Sequence, residues 1–129
     1  MSKKTLTLAT ITEANLARCK RWHPGGIDDW SPERWMTATT GELGEAANAL
    51  KKLWRLEDGL VSINDADRSY ATRQEALDKV GEEIADTFIY LNLLACRLGL
   101  NLAAEVVKKF NATSERYGFP ERIELRDHE

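Results

Sequence analysis

The 87 positions between Pro32 and Pro120 contain no proline. Proline inside a helix removes a backbone donor and clashes with the preceding turn, so a run this long without one is a strongly helical signature. The three prolines, Pro24, Pro32 and Pro120, all fall at predicted helix edges. No Asn-Gly or Asp-Gly hairpin joins two alternating runs, although Asp58-Gly59 occurs. It follows a helical pattern and reads as a stop. No internal repeat or low-complexity tract interrupts the chain.

Four helices are predicted. The first runs roughly from Thr12 to Trp22 and ends before His23-Pro24-Gly25-Gly26. The second has Ser31 as N-cap and Pro32 at its first position, and continues to about Glu57. The third starts near Ser69 or Thr72, where Thr72-Arg73-Gln74-Glu75 has capping-box spacing, and ends at Gly99. The fourth runs from Asn101 to Gly118, with Pro120 beyond. In the third helix Leu77, Val80, Ile84, Phe88, Leu91, Ala95 and Leu98 recur at gaps of three and four. From Ala71 to Leu98 that helix would be about 42 Å long, at ~1.5 Å per residue. A compact chain of this size has a radius of gyration of only about 14 Å.

The expectation is therefore an all-α chain, a four-helix bundle with long central helices, in a single domain over residues 1–129. Its apolar faces exceed what one chain covers, so a homodimer or homotetramer is expected. A monomeric bundle is the alternative. Residues 58–68 are the least periodic stretch and are expected to be a surface connection or a lid.

Composition narrows the function. Lys and Arg total 18 against 21 Asp and Glu, a net charge of −3, which argues against a nucleic-acid binder with its basic face. No apolar run approaches the ~18 residues needed to span a bilayer. The opening MSKKTLTLATITEANLARCK lacks the apolar centre and cleavage site of a signal peptide. Cys19 and Cys96, far apart, read as free thiols, and a cytoplasmic location is expected. Two histidines, His23 and His128, make a His-rich zinc or haem site a poor fit.

The informative residues are acids. Gly41-Glu42-Leu43-Gly44-Glu45 and Gly81-Glu82-Glu83-Ile84-Ala85-Asp86 each contain acids three apart, hence neighbours on a helix face. Ala38, Glu42, Ala46, Ala49 and Leu53 form one line, which places Glu42 in the middle of an apolar arc and Glu45 at its edge. Glu83 flanks the apolar stripe of the third helix, Asp86 lies one step further round, and Glu82 points toward solvent. An ionised carboxylate at a core position is costly unless something positive meets it. The fitting partner is a hard divalent cation, Mg²⁺ or Mn²⁺, since neither pair has the His of a di-iron motif. Gly41, Gly44 and Gly81 sit inside these helices against propensity, which suggests close backbone approach at a site. The alternative is that the acids are solvated and pair with Lys51, Lys52 and Lys79.

Lys109 and Arg116 are seven apart on the fourth helix and share a face suited to phosphate, or form an ordinary surface stripe. Trp22, Trp30, Trp35 and Trp54 either offer a surface for stacking a base or fill a core or interface. No glycine-rich phosphate loop and no nucleophile–base pair is present.

The stretches GELGEAANALKKLW, GEEIADTFIYLNLLACRLGL and VVKKFNATSERYGFP resemble the MazG-like nucleotide pyrophosphohydrolases. This is the all-α NTP pyrophosphatase group that includes dimeric dUTPases and dCTP pyrophosphatases. The resemblance covers roughly Trp30 to Pro120. Trp30-Ser31-Pro32 looks like the H-x-P element that precedes the first motif in some relatives, with Trp in place of His. It implies a bundle of the MazG-like type with Glu42, Glu45, Glu83 and Asp86 as Mg²⁺ ligands. It further implies Lys109, Arg116 and Tyr117 as phosphate-side contacts, with Trp30 also at the substrate. Departures are the 37 residues between Glu45 and Glu83, longer than usual, and Thr113 where some relatives have Asn.

The reading is a Mg²⁺-dependent nucleoside triphosphate pyrophosphohydrolase that yields a monophosphate and pyrophosphate. Glu42 or Glu45 would orient or deprotonate the attacking water. Two alternatives stand beside it: an inactive helical interaction module of the same fold, and a hydrolase of another nucleotide phosphate such as an alarmone.

Overall fold

The computed structural model describes residues 3–59 and 72–126. They form helices α1 (Leu8–Trp22), α2 (Pro32–Glu57), α3 (Arg73–Arg97) and α4 (Leu102–Tyr117), with a short 3-10 turn at Gly26–Asp29 and no strand among the described residues. The chain is all-α, as expected of a helical bundle. No single described helix is long and apolar enough to cross a membrane. Residues 60–71, where the connection or lid and the earlier start of α3 at Ser69 were expected, lie outside the described residues. The helices divide between two compact units, with the boundary inside α3 between Leu91 and Asn92.

The first unit holds α1, the end of α3, and α4. Helix α1 starts at Leu8, one turn before the expected Thr12, because Thr7 caps it. The Thr7 Oγ1 accepts from the Thr10 N–H at 3.0 Å, and the Thr10 Oγ1 accepts from the Thr7 N–H at 2.8 Å. This is a capping box built from two threonines rather than the Ser/Thr and Glu/Gln of the usual signature. Its interior is partly polar. The Asn15 Nδ2 donates to the Asn92 Oδ1 at 3.1 Å, and the Asn92 Nδ2 donates to the Thr12 Oγ1 at 2.9 Å, with both asparagines buried. Helix α4 is capped by Asn101, whose Oδ1 accepts from Ala104 N–H at 3.1 Å. It ends at Gly118, whose φ of 69° is the left-handed conformation that glycine adopts without cost. Cys19 is buried and Cys96 half-buried, both as free thiols.

The second unit is an antiparallel pair, α2 with α3 up to Leu91. Four contacts fix its register. Arg73 Nε meets Glu57 Oε1 at 2.7 Å; Ala49 and Leu53 pack with Ala76 and Val80; Glu42 and Glu45 face Glu83; the Trp35 and Tyr90 rings are 6.3 Å apart. Thr72 and Glu75 form the expected capping box, with both bonds at 3.2 Å.

The inward line of α3 differs from the apolar stripe read in the sequence. Ala76, Val80 and Glu83 are buried, whereas Leu77, Ile84, Phe88 and Leu91 are exposed, Ile84 by 58%. On α2, Met36, Leu43, Leu50 and Trp54 are exposed likewise. Several members of each set follow an inward residue by one position: Leu43 after Glu42, Leu50 after Ala49, Trp54 after Leu53, Leu77 after Ala76, Ile84 after Glu83. One residue turns a helix by about 100°. In antiparallel helices facing each other, that turn leads to the same side of the pair. Both stripes therefore share one apolar face, while Glu45 and Asp86, three residues past Glu42 and Glu83, turn to the other side.

Candidate metal centre

Helix geometry brings together three of the four expected acids. Glu42 and Glu45 are one turn apart on α2, and Glu83 meets them from α3. One carboxylate oxygen from each lies within 4.8 Å of the others. Glu83 is buried, Glu42 half-buried and Glu45 exposed, so the group opens from the interior of the pair toward solvent. Asp86 is exposed and stands outside this trio. It acts on Glu42 through its charge.

The electrostatics follow from this crowding. Glu42's carboxyl is held above its ordinary value, chiefly by burial and then by the negative charges of Glu45, Asp86 and Glu83, with Lys79 opposing. Among the described residues Lys79 is the cation paired with the cluster: its Nζ lies 2.8 Å from Glu83 Oε1 and 3.1 Å from Glu82 Oε2. Those bonds, to Glu83 first, hold its ammonium well above the usual lysine range. The alternative of solvated acids paired with lysine holds for Glu82, whereas Glu83 pairs with Lys79 while buried.

The donor set is oxygen only, which suits Mg²⁺ or Mn²⁺ rather than a softer metal. An octahedral ion with ligands at about 2.1 Å spans about 4.2 Å between opposite oxygens. Three oxygens on such an ion include at most one opposite pair, the others lying about 3 Å apart, so the trio, within 4.8 Å of one another, holds an ion only by drawing its side chains inward.

The helical glycines carry a different meaning from the one expected. Among the described residues, a Cβ built on Gly41, Gly44 or Gly81 meets nothing within 4 Å. All three are exposed, so they mark no close backbone approach by any described segment.

The other candidate residues belong to the first unit. Lys109, Arg116 and Tyr117 are exposed on α4. The Arg116 guanidinium lies over the Tyr117 ring at 5.4 Å, and Tyr117 stacks on Phe119 at 5.9 Å. Trp30 is half-buried against His23 with ring centroids 4.8 Å apart, and its carbonyl accepts from Arg97 Nε at 2.9 Å. The contact between His23 and Trp30 leaves no mark in the sequence. A spacing of seven across a turn gives no periodic signal. Of the tryptophans, Trp35 fills the core, and Trp22 and Trp54 are exposed.

No family model matches the chain, and no curated protein matches its sequence.

Proposed function

We propose that this chain is a divalent-cation-dependent nucleoside triphosphate pyrophosphohydrolase of the MazG-like type. The observation that supports the reading is the convergence of Glu42, Glu45 and Glu83 within 4.8 Å, with one of them buried, on two antiparallel helices. These residues would hold Mg²⁺, with Asp86 at the rim. The ion supplies positive charge against phosphate oxygens and makes a water more acidic. Glu42, with its raised affinity for a proton, is suited to take one from water at its carboxylate. The assignment of Lys109, Arg116, Tyr117 and Trp30 to the substrate rests on the sequence resemblance. A panel of nucleoside triphosphates incubated with Mg²⁺ tests the activity. Pyrophosphate rather than orthophosphate is the expected product, and Glu42→Gln and Glu83→Gln should abolish its release.

The exposed apolar face of α2 and α3 favours a second element of the reading. In the proposal it is covered by a second copy of the chain, giving a homo-oligomer. The same face is what an interaction module without activity would use, and that reading takes over if no triphosphate is hydrolysed.

A further inference from the structure

We infer that Lys79 is the resident counter-ion of the acid cluster, and that it yields Glu83 to an incoming divalent cation by moving onto Glu82. The inference rests on the proposed cation site and assigns a residue that regulates its loading. Glu83 is the buried member of the trio, and its side chain keeps only 7% of its exposure. A carboxylate so placed needs a positive partner whether or not a metal is present. Lys79 is that partner, one turn earlier on the same helix, at 2.8 Å.

The same ammonium already touches Glu82 at 3.1 Å, and the Glu82 side chain is 66% exposed. The two acids sit three and four residues after Lys79, so both are within reach of one lysine side chain without backbone movement. The Lys79 side chain is itself 40% exposed, with solvent into which to turn. A divalent cation among Glu42, Glu45 and Glu83 repels the ammonium at Glu83. Glu82, outside the trio, gives the displaced lysine a carboxylate to stay on. The arrangement lets the protein fold with its cluster partly neutralised and makes the site's affinity for cation lower than its acids alone would set.

The test is Mn²⁺ titration of metal-stripped protein by calorimetry, comparing wild type, Lys79→Met and Lys79→Arg at one pH and ionic strength. Lys79→Met should bind Mn²⁺ about tenfold tighter or more, as expected when one positive charge is removed from a few ångströms away. Lys79→Arg should stay near wild type. Metal-free Lys79→Met should melt below wild type and recover with saturating Mn²⁺. A lysine that only props the helix gives the lower melting point without tighter binding, and that result overturns the inference while leaving the cation site standing. Absence of Mn²⁺ binding by all three proteins removes the cation site and the inference with it. If Lys79→Met does not fold, Lys79→Gln makes the same comparison.

Discussion

Asn111 holds Ile123 by both of its backbone groups: the Asn111 Nδ2 donates to the Ile123 carbonyl at 2.9 Å, and the Asn111 Oδ1 accepts from the Ile123 N–H at 2.9 Å. Gly118 reverses the chain after α4, and this paired contact fixes the returning segment against the helix. Among the described residues, the segment beyond Pro120 also carries the Arg122 bonds to the carbonyls of Phe119 and Glu121. Asn111→Ala should expose the Ile123 amide to fast hydrogen exchange and open the segment to proteolysis, at a stability cost of about 1–2 kcal/mol for two hydrogen bonds. Unchanged exchange at Ile123 would show that other contacts hold the segment.

The open space at the helical glycines gives a stabilising substitution. Alanine is favoured over glycine in a helix interior by about 1 kcal/mol. Gly41→Ala, which meets nothing within 4 Å, should raise the melting temperature. A fall would mean that another molecule approaches this backbone.

Much of the fold was legible because its signals are local. Pro32, Thr72, Asn101 and Gly118 each act within one turn, and the helices begin or end where those residues place them. Thr7 escaped notice because its partner is Thr10, and a threonine in that position carries no capping signature. Glu42 was found because a charge in an apolar line is anomalous in one dimension. The burial of Glu83 was not, because Leu77, Ile84, Phe88 and Leu91 form the stronger periodic stripe, and a stripe does not reveal whether its own chain covers it. The Asn111–Ile123 contact joins residues across a reversed chain, where no periodicity operates.

That uncovered stripe yields a prediction about assembly. Leu50 is 53% exposed and lies on the apolar face of α2 away from the acids. A face with four large apolar residues on each of two helices is a poor surface for a monomer in water. The wild type should sediment as a dimer or tetramer at micromolar concentration, and Leu50→Glu should shift it toward monomer. A wild-type monomer under those conditions would leave the face without a partner copy.

Glu42 also sets a pH dependence. Its carboxyl has a higher pKa in the folded chain than the ordinary value of 4.5, so folding favours its protonated form. Above the raised value its charge lowers stability, and as pH falls through that value toward 4.5 the penalty disappears. Glu42→Gln should therefore make the metal-free protein more stable than wild type at pH 7, with the difference vanishing near pH 4. Cation binding runs the opposite way. The shift in melting temperature caused by Mg²⁺ or Mn²⁺ should shrink on acidification as protons compete for Glu42, and Glu42→Gln should lose most of it at pH 7. An equal shift in both proteins would show that Glu42 is not a ligand.

Asp86 offers the sharpest separation of fold from chemistry. It is exposed and outside the close trio, so Asp86→Asn removes a charge without opening a cavity or stranding a buried group. Its charge does reach the cluster, since it contributes to the raised pKa of Glu42. The proposed reaction has no nucleophile in the protein and depends on charge placed against a phosphate chain, which is the largest catalytic term in such sites. Asp86→Asn should therefore melt close to wild type while pyrophosphate release with Mg²⁺ falls by about two orders of magnitude, the scale of losing one electrostatic element. Raising Mg²⁺ should recover part of the rate if the loss lies in cation affinity, and none if it lies in placing the ion. Wild-type rates from both Asp86→Asn and Glu83→Gln would place the chemistry elsewhere in the chain.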